Sequence, residues 1–495
     1  MKKSLRLIAL LLALLAMSTA AVSCGSDKTD TPAADTTTAA AGTDETTVSE
    51  QTLTPAQTPV AFDEDYGGYD FRVIVMENDE AAHIIEEIEA ETANGETLND
   101  AIYARNLAVM EKLNVKITTT HNSGVLNAVK KSVQAGDDTW DLALPTVYDA
   151  FSLASVGALT EVHELPNVDF TKDWWASDIL TDTSIANKNY FAVSDISMHT
   201  YGSAQVLAYN KTLASNYNVS DLYALVNSGE WTYGKMIEEC KKVSNDINGD
   251  GVMDENDVYG IGHLSSSAII FPYSADLFFV TKDSEDIPSI ALSERFVSFF
   301  QQMVEDFSNT DYSMYTERYG SPLRNTAGGT AFNEDRLLLY RLDLSYIVDF
   351  RDMTSDFGII PTPKYDAAQE NYVTVIHPGA MSAIAVPVTN PDIDRTSAII
   401  EEMSYQSYQY TKPAYIEVAI KTKYSRDEES AQMLDLILSN FRLDLAFGLA
   451  NSGLSITGDM RELLNKFDTN VTSAFEKKAE KYQNALDKVV DKIVG

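Results

Sequence analysis

What most constrains the fold is an alternation that begins at Phe71. Phe71 to Met76 is a short apolar run rich in β-branched residues and reads as a buried strand. A helix follows it. Leu98, Ile102, Leu107, Met110 and Leu113 supply its apolar face, while Arg105, Glu111 and Lys112 lie opposite or at the edges. Val115 to Thr119 then reads as strand, Val125 to Val133 as helix, and Asp141 to Leu144 as a third strand. Strand, helix, strand, helix, strand is a doubly wound α/β unit built on a parallel sheet. Sheets of this kind bind ligands in the crevice beyond the carboxyl ends of their strands. That singles out Glu77 and Asn78 after the first strand, and Pro145 to Asp149 after the third.

The alternation resumes further on. Tyr190 to Val193, Val206 to Tyr209, Phe357 to Ile360 and Ala383 to Pro387 read as strands. Tyr233 to Val243, Arg295 to Phe307 and Thr396 to Tyr405 read as helices, the last preceded by the cap signal Asn390-Pro391-Asp392. At the C-terminus Val471, Phe475, Ala479, Tyr482, Leu486, Val489 and Ile493 repeat at three and four, which predicts one core-facing helix. From about Val60 to Gly495 the chain exceeds the roughly 250 to 300 residues one hydrophobic core usually serves, so two lobes are expected. No internal repeat suggests a solenoid.

The N-terminus predicts an address. Lys2, Lys3 and Arg6 precede an apolar run from Leu7 to Met17, which is shorter than the roughly 20 residues a membrane span needs and reads as an export signal over residues 1–23. Small residues lead up to Cys24, which resembles a bacterial lipobox, although Ala21 stands where that motif usually has Leu. Cys24 is the expected lipidation site, placing the chain on the outer face of the cytoplasmic membrane. Residues 24–60 are rich in Thr, Ala and Asp with almost nothing apolar, so they are expected to form a disordered tether. Such a coil spans about 30 to 35 Å. The net charge of −37 would repel phosphate backbones, which excludes nucleic acid as a partner. With Cys24 acylated, Cys240 is left alone and cannot form an intrachain disulfide; its neighbours Met236, Ile237 and Val243 predict a buried, inert thiol.

The most specific chemical pattern spans residues 246–257. Counting Asp246 as one, Asp246, Asn248, Asp250, Asp254 and Asp257 put oxygen side chains at positions one, three, five, nine and twelve, with Gly251 at six. This is the spacing of the Ca²⁺ loop of EF-hands, in which Val252 would add its backbone carbonyl. A hard cation takes six to eight oxygens, and a tight loop with alternating inward side chains supplies them. Asp257 replaces the usual Glu. A single unpaired loop predicts a structural Ca²⁺ rather than a sensor.

Together these features resemble the extracellular solute-binding proteins of bacterial ABC importers, in the carbohydrate class that includes maltose-binding protein. The stretches that carry the resemblance are Thr97 to Arg105, Asp141 to Leu159, Ala208-Tyr209-Asn210-Lys211, Glu230-Trp231-Thr232 and Phe357 to Pro361, taken in that order. The resemblance implies an α/β periplasmic-binding-protein-like fold with crossover hinge strands and a ligand cleft between lobes. The lobes would be 61–203 with 382–425, and 204–381 with 426–495. Crossovers are expected near Thr200 to Val206, His377 to Ser382 and Lys421 to Arg426. The implied partners are a solute, an oligosaccharide by analogy, and the permease subunits of the transporter, with the binding protein a monomer. Family positions carried over point to Tyr148 and Asp149, to Tyr201 and Ser203 at the first crossover, to Tyr273 as an aromatic platform, and to Arg341, Asp343 and His377.

Trp174 and Trp175 read either as a sugar platform or as core, and Trp231 reads as core. Two other classes of function stay open on the residues alone: an exported carbohydrate-active hydrolase, and a lipoprotein that binds peptides or other solutes. Against the enzyme stands the absence of Gly-x-Ser-x-Gly and His-Glu-x-x-His motifs, so no catalytic residue is assigned.

Overall fold

The computed structural model describes residues 56–61, 64–79, 84–320, 326–416 and 427–494. Cys24, the export signal, nearly all of the tether and the crossover expected near residues 421–426 lie outside these.

The first sheet is the one the alternation predicts. Strand β1 (Tyr69–Val75) is followed by helix α1 (Thr97–Leu113), β2 (Val115–His121), helix α2 (Val125–Ala135) and β3 (Leu142–Leu144). The order is β2-β1-β3, and both pairings are parallel. Helix α3 (Val147–Ala154) starts two residues after β3, capped by the Thr146 hydroxyl, which accepts from the Asp149 N–H at 3.2 Å.

The second sheet is larger and mixed. Its first strand β4 (Gln205–Asn210) is buried at all six residues. Helix α4 (Tyr233–Cys240) precedes β5 (Ser244–Asn245) and β6 (Val258–His263); helix α5 (Ser267–Ser274) and helix α6 (Glu294–Ser308) follow. Strands β7 (Ser313–Tyr315), β8 (Leu337–Asp343) and β9 (Phe357–Pro361) complete it. The order is β9-β4-β8-β6-β5, with β7 paired to β6. Strand β8 runs antiparallel to β4 and parallel to β6. Gly260 lets α4 lie on β6, because a Cβ there would stand 2.2 Å from the Cys240 carbonyl oxygen. Cys240 is buried and free.

Two crossing stretches join the sheets. One runs from Ala192 to Ala204 into β4, and the other returns from Ile376 to Ala385; the two touch through the Ala204–Ile376 and Ala192–Ile384 bridges. Here the structure departs from expectation. Tyr190 to Val193 and Ala383 to Pro387 are not regular strands. Ser382 and Ala385 bridge Thr146 and Ala143 in one antiparallel register along the end of β3, while Ile384 bridges Ala192 and Pro387 bridges Leu159, so the bridges stay isolated and no continuous ladder forms. After this return, helix α7 (Ile393–Gln409) packs beside α1, joined by Lys112 and Glu402 at 2.5 Å.

The C-terminal part brings helix α8 (Leu445–Gly448), helix α9 (Ile456–Lys466) and helix α10 (Ala479–Val494). The single terminal helix expected from the apolar repeat is two, Val471–Glu476 and α10, yet Val471, Phe475, Tyr482, Leu486, Val489 and Ile493 all remain buried on one side. One hydrophobic cluster runs from Ala143 and Phe151 through Leu207 and Ile261 to Phe475 and Leu486. A second surrounds Val206, Leu337, Tyr340 and Phe357, and a third surrounds Phe71, Leu142, Trp174 and Met403. Trp174 and Trp175 are core, both indoles donating to Glu401, at 3.1 and 2.9 Å. Trp231 is also core and donates to the Pro361 carbonyl. Among the described residues no helix is long and apolar enough to cross a membrane.

Candidate functional site

The carboxyl end of β3 delivers Tyr148 and Asp149 into the first turn of α3, both half-buried. The Tyr148 ring meets His377 edge-on at 6.1 Å and Phe447 of α8 at 6.1 Å, and His377 meets Phe447 at 5.4 Å. The Tyr148 N–H reaches the Pro378 carbonyl at 3.4 Å. Gly379 makes this contact possible: a Cβ there would stand 2.9 Å from the Tyr148 ring and 3.0 Å from His377 Cε1. Burial pushes the Tyr148 phenol up to about 12, raises the Asp149 carboxyl and lowers the His377 imidazole. At neutral pH the site therefore offers a phenol that can donate and an uncharged imidazole that can both donate and accept.

The second sheet contributes the charged part. In the β4–β8 register Arg341 faces Leu207 and Asp343 faces Gln205. Gln205 ties the group together: its amide nitrogen donates to Asp343 at 2.6 Å and to the Ser203 carbonyl at 3.1 Å, while its oxygen accepts from Arg341. Arg341 also donates to the Ser266 hydroxyl at 2.7 Å. The His377 N–H points to the Ser203 carbonyl at 3.4 Å. Thus Tyr148, Ser203, Arg341, Asp343 and His377 form one connected neighbourhood drawn from both sheets and both crossings, with Asp149 next to Tyr148 in the chain but bonded only through its N–H to Thr146. Gln205, Ser266 and Phe447 belong to it as well. Sequence reading missed these three, which carry no motif.

The remaining expected positions lie apart. Asn78 donates to Glu86 at 2.9 Å, and Glu86 pairs with His121 at 2.7 Å, so Glu77 and Asn78 border a separate polar group beyond β1 and β2. Tyr201 donates to Asp195, which also pairs with Lys412 at 3.1 Å. Its ring lines a cavity of about 210 Å³ shared with Trp175, Thr200 and Lys412. Tyr273 must be corrected. It is fully buried, stacked on Phe278, and its hydroxyl reaches Asp444 at 3.3 Å, so it has no free face to serve as a platform. The reason is that α5 is buried along its whole length, leaving every side of Phe271-Pro272-Tyr273 in contact with protein. A larger hollow of about 430 Å³ lies between Asp276, Arg295, Asp366 and Arg442 and includes none of the expected ligand residues.

The 246–257 loop joins β5 to β6. Asp246 accepts from the N–H groups of Gly249 and Gly251 at 2.7 Å each, Asp250 from Val252 at 2.8 Å, and buried Asp257 from Ile247 at 2.9 Å and Asp254 at 2.7 Å. Gly249 and Gly251 adopt φ of 71° and 79°. The donor set is all oxygen, the chemistry of a hard cation, and each bonded carboxylate keeps further lone pairs. Among the described residues no three acids, histidines or cysteines converge as metal ligands, the loop acids being turned to backbone amides.

No protein-family profile matches the chain, and neither does any curated protein. Solved structures do match in fold. An ABC substrate-binding protein of Listeria monocytogenes in complex with cycloalternan is similar at 11% identity and TM-score 0.50, over 86% of this chain and 98% of that one. A sugar transporter of Rhizobium etli in an open conformation is similar at 13% identity and TM-score 0.55, over 86% and 100%. The UgpB protein of Mycobacterium tuberculosis in complex with glycerophosphocholine is similar at 15% identity and TM-score 0.52, over 85% and 99%. The fold is the two-lobe α/β architecture of solute-binding proteins, as the resemblance implied.

Proposed function

We propose that this chain is a membrane-anchored extracellular binding protein that captures a solute, an oligosaccharide, and delivers it to an ABC permease without covalent chemistry. The observation that carries the reading is the Tyr148–His377–Arg341–Asp343 neighbourhood, placed at the carboxyl end of β3 and against the crossings, in a fold shared with proteins that bind saccharides. Aromatic edges and paired polar groups are what sugar recognition needs, ring faces against C–H surfaces and fixed donors for hydroxyls. Lobe closure over residues 61–203 with 382–425 and 204–381 with 426–495 would bury the ligand and form the shape a permease reads. Cys24 and the tether hold a monomer near its transporter.

The test is a thermal-shift screen of oligosaccharides, peptides and metabolites, followed by product analysis of each hit. A hit recovered unchanged supports capture, whereas turnover would replace this reading with a hydrolase.

The loop proposal is that Asp246, Asn248, Asp250, Val252, Asp254 and Asp257 hold a structural Ca²⁺, which when bound would neutralise acids that now crowd one turn. Chelator should lower the melting temperature of the wild type, by about 2.7 kcal/mol of lost stability where free Ca²⁺ stood at 100 times its dissociation constant. Asp250→Ala should abolish that response; equal melting with and without chelator refutes the site.

A further inference from the structure

Arg341 is buried, 3% exposed, yet among the described residues no carboxylate forms an ion pair with it. Its partners are the neutral Gln205 and Ser266, and its Nε has none. Arg461 on α9 is less settled still, with no hydrogen-bond or ion-pair partner among the described residues and a buried Nε that is unpaired. Helix α9 packs on α5, which begins beside Ser266, and on α8, which carries Phe447. The Arg461 charge is felt by Tyr148, His377 and Arg341 alike. Two guanidiniums therefore bear on the same small neighbourhood.

The nearby acids are engaged elsewhere. Asp343 accepts from Gln205, and Glu317 accepts from Ser265 at 2.8 Å and from Tyr315 at 2.7 Å. Arg105 shows what a purely structural buried arginine looks like here: it donates to the carbonyls of Glu87 and Ile88, at 2.8 and 3.2 Å, and to Asn106, with no nitrogen left over. The charges of Asp343 and Glu317 reach Arg341, yet both acids accept from other donors, so among the described residues Arg341 and Arg461 keep donors that no carboxylate receives.

We propose that the cleft is selective for an acidic saccharide, whose oxyanion is received by Arg461 and Arg341 while its sugar ring lies against Tyr148 and His377. This rests on the reading of the cleft as a saccharide site and narrows it to a class. Arginine suits the task because its planar fork matches carboxylate and phosphate oxygens. The two sources of that chemistry are a uronate and a sugar phosphate.

The experiment is calorimetric titration of the full exported chain with matched probes: trigalacturonate against its methyl ester, and glucose 6-phosphate against glucose. At least one anionic probe should bind tenfold or more tightly than its uncharged match, and which one does identifies the source. Arg461→Gln should reduce that ratio at least tenfold while leaving the thermal midpoint unshifted and binding of the uncharged probe within twofold of wild type; Arg461→Lys should recover part of it. Equal binding within each pair, or a ratio unmoved by Arg461→Gln, overturns the anionic class but leaves a neutral-sugar binding protein standing. Failure of every saccharide in the broader screen as well overturns both.

Discussion

Glu401, behind the first sheet, and His263, at the end of β6 in the second, are both buried among aromatic rings, and they answer burial in opposite ways. Glu401 receives the indole N–H groups of Trp174 and Trp175, yet burial, helped by nearby Asp169, still pushes its carboxyl up to about 7. His263 is stacked between Phe307 at 4.5 Å and Tyr315 at 5.2 Å, and among the described residues neither ring nitrogen makes a hydrogen bond. Burial, with Arg318 and Arg341 nearby, takes its imidazole down to about 3. One region therefore favours the proton and the other refuses it. Donors moderate the cost of burying a charge, but the two indoles and the Asp169 backbone N–H at 3.5 Å do not cancel it.

The largest effect should come from His263. Its folded pKa is depressed, so the stability it permits is present above 6.5, the ordinary value, and is lost as pH falls toward 3, at about 1.4 kcal/mol per pH unit. His263→Phe fills the same aromatic stack and should be more stable than wild type at pH 4.5 by about 3 kcal/mol more than at pH 7. Urea midpoints across that range measure it, and parallel curves for the two proteins would break the comparison.

Glu401 should give a smaller total effect of opposite sign, because its pH window is narrower. Its folded pKa is raised, so its contribution is fully present below 4.5 and is lost as pH rises through about 7. Glu401→Gln should flatten the curve between those values and lose about 1 kcal/mol at pH 4.5, because one amide oxygen cannot serve both indoles as well as a carboxyl does. A variant that keeps the wild-type slope would show that solvent reaches the carboxyl. The smallest effect is the coupling. Trp174 and Phe307 belong to different hydrophobic clusters, so the double variant should match the sum of the singles within about 0.5 kcal/mol. A larger discrepancy would mean that the two regions unfold as one linked network.

Much of the first sheet was legible because its signals are local. Periodicity places Tyr69–Val75, Thr97–Leu113 and Val115–His121 within a few residues, and the strand-end rule leads directly to Tyr148. The 246–257 spacing is just as contiguous, and the structure shows a tight turn there whose acids accept backbone N–H groups. Arg461 was not. It sits in α9 among Glu462 and Lys466 like any surface residue, and only the packing of α9 on α5 and α8 brings its charge to bear on Tyr148. Tyr273 was misread although a warning was present, since Ala268 to Phe271 is apolar without interruption and leaves that helix no solvent face. Ala383 to Pro387 has strand composition, but no sequence pattern reveals that its bridges are divided among the end of β3, Ala192 and Leu159.

That last segment governs the order in which the molecule can be completed. The edge of the first sheet at Ala143 is covered by Ala385, made about 240 residues later. During synthesis or threading through a pore, β1, β2 and β3 emerge with one side bare and wait for most of the second sheet to appear. A chain assembled this way closes late and from its far end, so the half-made protein stays pliable for a long interval, and a premature stop anywhere before residue 385 leaves an unsealed edge open to other strands.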